Sequence, residues 1–293
     1  MGSLMERVAG APISWGVCEV PGWGLWMSAG RILGEMRDLG LQATELGPQG
    51  FLPADPRRRA QMLRAYGLVL AGGFVPMVLH DPAHDPLPEA DRAMDALGEG
   101  TPLVLAAATG LDGYDERPDL GTKNWVTLMA NLDAVAARAT ERGHVAALHP
   151  HMGTVVQGRQ EVERVLDGSG VPLCLDTGHL FIGGADLQFL ARTVPDRIAH
   201  VHLKDVDADL AARVRDGALT YTEGVRSGMY RPLGHGAIDI ARLVATLEDA
   251  GYEGWYVMEQ DTIIDTEPPA GAGPAVEVEA GLRLLREVAD GLR

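Results

Sequence analysis

Only two of the 293 residues are cysteine, Cys18 and Cys174. That is too few for a disulfide framework, and neither sits in a Cys-x-x-Cys pair. Positive charge is also scarce. Lys and Arg total 25 against 41 Asp and Glu, a formal net charge of −16, and the one basic run, Arg57-Arg58-Arg59, reads as an exposed turn of a helix. An acidic surface repels a phosphate backbone, so no nucleic-acid partner is expected, whereas a small polar substrate and a bound cation remain compatible. No apolar run is long enough to span a bilayer, and Met1–Arg7 lacks the apolar stretch of a signal peptide. No membrane partner is therefore expected, and the cytoplasm is the expected compartment. A Gly-rich phosphate turn is missing too, because Gly22–Gly24 and Gly47–Gly50 are too sparse for one. No linker-like stretch divides the chain.

What is present is a core-forming composition, 46% hydrophobic, in a chain close to the roughly 250 residues of a barrel domain. Short β-type runs alternate with amphipathic segments throughout. The expected strands are Val8–Trp15, Ala43–Leu46, Leu68–Gly73, Pro102–Ala108, Val145–His149, Val171–Leu175, Ile198–Leu203 and Trp255–Met258. Helical spacing marks Ser28–Leu39, Asp55–Tyr66, Glu89–Leu97, Thr122–Arg142, Gln160–Leu166, Leu187–Arg192, Ile240–Ala250 and Val276–Val288. Eight β-then-α units predict an α/β fold, a single (β/α)8 TIM barrel over 1–293, with an extended loop from Lys204 to Gly236 after the seventh strand. A doubly wound open sheet is the alternative, and the missing phosphate turn disfavours it.

In such a barrel the strand C-termini hold the active site. Here they read Trp15, Glu45, His149-Pro150-His151, Asp176-Thr177-Gly178-His179, His200-Val201-His202-Leu203-Lys204-Asp205 and Glu259. The last four strands all finish on residues able to bind a metal. A strand period of two places His200 and His202 on one face, away from Val201 and Leu203. Each residue alone has an ordinary structural role, an Asp as a helix N-cap or a His as a bonded core residue. Clustering on consecutive strands points to chemistry. Mixed His and carboxylate donors suit Mn²⁺, Co²⁺, Fe²⁺ or Zn²⁺ better than Ca²⁺. Trp15, Trp23 and Trp26 are candidates to stack on a sugar face or to pack the mouth. Glu45 is a candidate for substrate hydroxyls or for a salt bridge, and His235 is a weaker candidate from the seventh-strand loop.

The segments HPHMGTVVQ, CLDTGHL, HVHLKD and YEGWYVMEQD, with APISWG and TELGP near the N-terminus, resemble the xylose isomerase-like barrel superfamily. Within it the likeness is to inosose (2-keto-myo-inositol) dehydratases. The resemblance implies a divalent cation, Mn²⁺ or Co²⁺ before Zn²⁺, Fe²⁺ or Mg²⁺, held by residues of strands five to eight. The family's Asp, His and Glu fall on Asp176, His202 and Glu259. Where relatives carry Glu on strand five this chain has His149, with His151 two residues on, so His149 stands as the fourth expected ligand. His179 matches a substrate-contacting His, and Lys204 and Arg226 lie where relatives contact substrate. With Trp15 and Glu45 these form the expected substrate set. His149, His151, Glu259 and Lys204 are the expected acid–base groups. Members are often dimers or tetramers, so a homo-oligomer is allowed.

Superfamily epimerases use two glutamates, one from strand five and one from strand eight. With His149 in the first place that matched pair is broken, and unequal acid and base groups suit elimination of water. The expected reaction is thus a metal-dependent lyase step on a small polyhydroxy ketone. A keto-polyol isomerase or epimerase is the runner-up, and a non-catalytic sugar-binding barrel follows. A related apurinic endonuclease is disfavoured by the net charge.

Overall fold

A computed structural model describes residues 2–292. Eight parallel strands close into a barrel: β1 (Val8–Gly10), β2 (Ala43–Glu45), β3 (Val69–Met77), β4 (Leu103–Ala107), β5 (Ala146–Leu148), β6 (Leu173–Asp176), β7 (Ile198–Leu203) and β10 (Tyr256–Met258). The short strands β8 (Asp205–Val206) and β9 (Tyr230–Arg231) form a separate antiparallel ribbon. β1 closes the ring by pairing with both β10 and β2. This is the TIM-barrel architecture that the alternation of elements predicts. Among the described residues no helix is long and apolar enough to cross a membrane.

The helices form where the sequence supplies caps and an apolar stripe. Ser28 caps α1 (Ala29–Leu39), which buries Ile32, Leu33 and Met36 at helical spacing. Asp55 caps α2 (Pro56–Ala65), with Pro56 in the first turn where its missing N–H costs nothing. Next come α3 (Leu87–Leu97), α4 (Thr122–Glu141) and α5 (Arg159–Gly168). Gly73 shows why α3 fits so closely on the sheet. A Cβ there would lie 2.5 Å from Leu97 Cδ2, so glycine lets helix and strand meet without displacing that side chain.

Two expected boundaries shift, for visible reasons. The first strand does not run to Trp15. It stops at Gly10, and Pro12–Trp15 forms a 3₁₀ turn, because proline removes the ladder donor and fixes the backbone. The third strand continues beyond Gly73 to Met77, since β4 offers partners from Leu103 through Ala107. Beyond β6 the chain adds α6 (Thr177–Ile182) before α7 (Leu187–Thr193).

The long segment after β7 is not an open loop. It contains α8 (Ala208–Arg215) and α9 (Tyr221–Arg226) between the two ribbon strands. Asp205 holds it shut by accepting the backbone N–H groups of Val206, Gly234, Gly236 and Ile238 at 2.9–3.0 Å. Then α10 (Ile240–Asp249) and α11 (Pro274–Gly291) complete the outer ring.

Candidate active site

The strands deliver their polar residues to one end of the barrel, above an apolar interior. On β7, His200 and His202 share the inner face as their spacing predicts, and both are about 1% exposed. Each directs Nε2 to Oε1 of Glu45 on β2, at 2.9 and 3.0 Å. This carboxylate is held well below its usual range. Burial opposes the charge, but His202 and His200 outweigh it. Glu45 reaches the cavity wall but is engaged as a brace for two imidazoles.

Asp176 ends β6 and divides its two oxygens. Oδ1 accepts the His179 N–H at 2.7 Å and so caps α6. Oδ2 lies 3.1 Å from His149 Nε2, 3.5 Å from His202 Nδ1 and 3.6 Å from Lys204 Nζ. Glu259, just past β10, places Oε2 2.6 Å from His202 Nδ1 and Oε1 3.2 Å from Lys204 Nζ. Asp176, His202 and Glu259 therefore converge, with donor atoms all within 4.8 Å of one another. His149 joins them through Asp176.

Three buried atoms here have no hydrogen-bond partner: His202 Nδ1, Glu259 Oε2 and His149 Nδ1. Unpartnered buried polar atoms are costly, and a convergent His and carboxylate set is the donor chemistry of a transition-metal site. The local field favours positive charge as well. Burial opposes protonation of His202, yet Cys174, Glu45 and Glu259 hold its pKa well above the usual value.

The strand-five residues part at Pro150, which has no N–H for the ladder. The His149 N–H still donates to Leu105 O on β4, whereas the chain leaves the sheet at Pro150 and His151 stands in the loop beyond. Both line the cavity. His151 Nδ1 donates to Met152 O at 2.6 Å, leaving Nε2 with a lone pair. Its ring stacks against His179 at 3.8 Å and Tyr114 at 4.4 Å between centroids. Gly153 makes the Tyr114 contact possible. It has φ +79°, and a Cβ there would lie 2.3 Å from Tyr114 O. Burial, reinforced by positive charge at His149 and Lys204, pushes His151 well below its usual pKa, so its imidazole is neutral.

Several expected site residues lie elsewhere. Trp15 is fully buried and does not line the cavity; the Pro12 turn sends its indole N–H to Glu35 Oε2 on α1 at 2.7 Å. Of the other tryptophans, Trp23 lines the cavity, while Trp26 is exposed. Arg226 is exposed and does not line the cavity; its guanidinium lies 3.4 Å from Gly22 O. His235 is exposed and off the cavity. His179 and Lys204 are wholly enclosed, so neither meets the cavity surface directly. Lys204 Nζ is clasped by Asp261 Oδ1 at 2.6 Å and His179 Nε2 at 3.1 Å. Burial opposes its charge, but Asp176, Asp261 and Glu259 keep it protonated.

Asp261 is the residue that the sequence reading missed. It lines the cavity beside Glu259, accepts Lys204 on Oδ1 and receives the Tyr221 hydroxyl on Oδ2. Burial pushes its carboxyl up to about 6, against the pull of Lys204. A signal was there, since Asp261 follows Glu259 by one strand period. Tyr114, hydrogen-bonded to Glu19, comes from a loop, and Tyr221 and Tyr230, 3.0 Å apart at their hydroxyls, open the short elements α9 and β9 of the insertion, too brief for periodicity to mark.

The comparisons bear on the family and the fold. A family model for the xylose isomerase-like TIM barrel matches residues 33–288, and the chain belongs to that family. The rhizopine catabolism protein MocC of Rhizobium meliloti is 32% identical over 302 residues, covering 98% of this chain and 90% of that protein. An inosose dehydratase of Geobacillus thermodenitrificans is 30% identical over 290 residues, covering 94% of this chain and 95% of that one. Among solved structures, the IolI protein with a bound zinc atom superposes with a TM-score of 0.65 at 13% identity, over 98% of this chain and 99% of that chain. At that identity it speaks for the fold.

Proposed function

We propose that the protein is a metal-dependent hydro-lyase that removes water from a cyclic keto-polyol of the inosose type. One observation carries the reading. A ring nitrogen of the neutral His151 and a carboxylate oxygen of Asp261 lie within 4.8 Å of each other, beside the Asp176–His202–Glu259 cluster. Elimination needs unlike groups close together, a base at one carbon and an acid at the hydroxyl of the next. Inversion would call for two matched groups on opposite faces of a carbon. Full-length relatives at 30% identity that carry the name inosose dehydratase support the same choice.

Asp176, His202 and Glu259, with His149 against Asp176, fit a divalent cation such as Mn²⁺ or Co²⁺, with Zn²⁺, Fe²⁺ or Mg²⁺ as further choices. When bound, such a cation supplies Lewis-acid withdrawal of charge from a substrate oxygen. The protein's own residues do the rest. His151 Nε2 takes the proton from the carbon next to the ketone. Asp261, which accepts from Lys204 and Tyr221 while ionised, acts from its protonated form and gives that proton to the hydroxyl on the following carbon; the C–O bond breaks and water departs. The resulting enol tautomerises to a diketone. Lys204 and Tyr221 hold Asp261 in place, and Glu45 fixes the ring of His202.

The test is incubation with an inosose and Mn²⁺ or Co²⁺, followed by near-ultraviolet absorbance and NMR. Loss of water with a new diketone supports the lyase. An isomer of the starting ketone with no water lost would replace it with an epimerase. Binding without any conversion would leave a sugar-binding barrel.

A further inference from the structure

The cavity extends well beyond the cluster of acid–base groups. Its volume is about 640 Å³, within the roughly 300–1,000 Å³ that houses drug-sized ligands, and a single six-membered polyol ring fills only part of it. The surplus lies in an arm that runs over the ends of β2 and β3 toward α3. Leu46, Leu52, Phe74, Pro76, Ala93 and Leu97 supply its apolar lining, and Gln49, Glu89 and Arg92 border the cavity beside them. Behind the lining, the missing Cβ of Gly73 lets Leu46 and Leu97 close over β3.

Phe74 joins the arm to the reacting end. Its ring lies 5.9 Å from His149 and 5.7 Å from His151 between centroids. A polyol ring carries hydroxyls on every side, and burying hydroxyls against such walls without partners is unfavourable. The arm therefore suits something apolar attached to the ring.

We infer that the arm is a subsite for an apolar or aromatic substituent borne on one hydroxyl of the keto-polyol, so that the preferred substrate is an ether rather than the bare ring. This deepens the lyase reading and rests on it for the reacting ring alone. Arg59 gives the far end a flat surface for such a group. It is 2% exposed, and its guanidinium is held in place by Pro53 O, Ala96 O and Leu97 O at 2.6–3.3 Å.

The test uses ligands that cannot react, scyllo-inositol and its mono-O-benzyl ether, titrated calorimetrically into the metal-supplemented protein. Burying a phenyl group should make the ether bind about 10- to 100-fold more tightly. Ala93→Phe, which fills the arm, should remove that advantage and leave scyllo-inositol binding unchanged. Ala96→Phe, at an exposed arm position, serves the same purpose if the first variant does not fold. Equal binding of the two ligands, or an advantage that survives both substitutions, would overturn the subsite. Turnover of an unsubstituted inosose is measured in parallel. Dehydration without an ether advantage sinks the subsite alone, and an Ala93-dependent ether advantage without dehydration sinks the lyase alone. If neither ligand binds, the subsite falls with the polyol site itself.

Discussion

Nδ1 of His202 and Oε2 of Glu259 lie 2.6 Å apart as a buried ion pair, and neither atom has a well-formed hydrogen bond. A buried carboxylate and imidazole this close call for positive charge between them, a proton or a cation. Asp176 Oδ2, 3.5 Å from the same nitrogen, adds a third donor. The Glu45 brace on Nε2 turns Nδ1 toward this cluster, the arrangement by which an outer partner orients a ligand histidine.

Mn²⁺ or Co²⁺ should accordingly raise the melting temperature, and a chelator should reverse the rise. Glu259→Gln and His202→Ala should abolish the shift. His149→Ala, which removes a partner of Asp176, should weaken metal affinity about 10- to 100-fold. Calorimetric titration of each variant checks this. Wild-type affinity in His202→Ala would dissolve the proposed cluster.

A second expectation concerns the seam of the barrel. Arg7, just before β1, donates to Tyr252 O at 2.8 Å and to both oxygens of Glu248 at 2.6–2.7 Å, and Glu248 also accepts the Tyr256 hydroxyl. The two charged side chains are only 12% and 16% exposed, and the contact ties the first strand to the approach of the last. Arg7→Ala should cost about 1–3 kcal/mol, because a half-buried carboxylate loses its charged donor. Urea unfolding measures it. A change below about 0.5 kcal/mol, the scatter of ordinary surface substitutions, would show the clamp to be idle.

The fold was legible because β-type runs and amphipathic runs differ in period, and that difference survives eight repetitions. The inward pair His200 and His202 was legible for the same reason, as were the strand-end residues Asp176 and Glu259. Trp15 misled, since Pro12 ends the ladder and turns the indole toward Glu35. Enclosure was the other blind spot. Nothing in the local pattern says that Lys204 and His179 lie behind the wall while Asp261 faces the cavity. That depends on Tyr221 and on a long insertion that Asp205 pins through three distant backbone groups.

Acid sensitivity follows from a contact between α3 and α4. Arg138, bonded to both oxygens of Asp91 at 2.9 Å, holds that carboxyl at about 2 against its ordinary 3.8, with Arg142 assisting. The folded pKa is the depressed one. The stabilisation is therefore complete above 3.8 and lost as pH falls toward 2. Asp91→Asn should be less stable than wild type at neutral pH, and the two should converge on acidification toward the lower value. High salt should shrink the gap, because the contact is partly open to solvent. Unfolding midpoints across pH decide the point, and a constant gap would contradict it.

The last expectation separates base from acid. If His151 removes the proton and Asp261 protonates the departing hydroxyl, the two substitutions must differ in kind as well as degree. His151→Ala should lower kcat by about 10²–10⁴, the usual scale for a proton-transfer group, while leaving metal affinity intact. It should also stop exchange of the substrate's carbon-bound proton with deuterium oxide. Asp261→Asn should slow water loss on the same scale yet still permit that exchange, because the base remains and only the exit of hydroxide is blocked. Tyr221→Phe, which removes one hydroxyl donor from Asp261, should fall between wild type and Asp261→Asn. NMR in deuterium oxide follows both events in one sample. Exchange lost in Asp261→Asn but retained in His151→Ala would reverse the two roles, and exchange retained in both would move the base to Glu259 or His149.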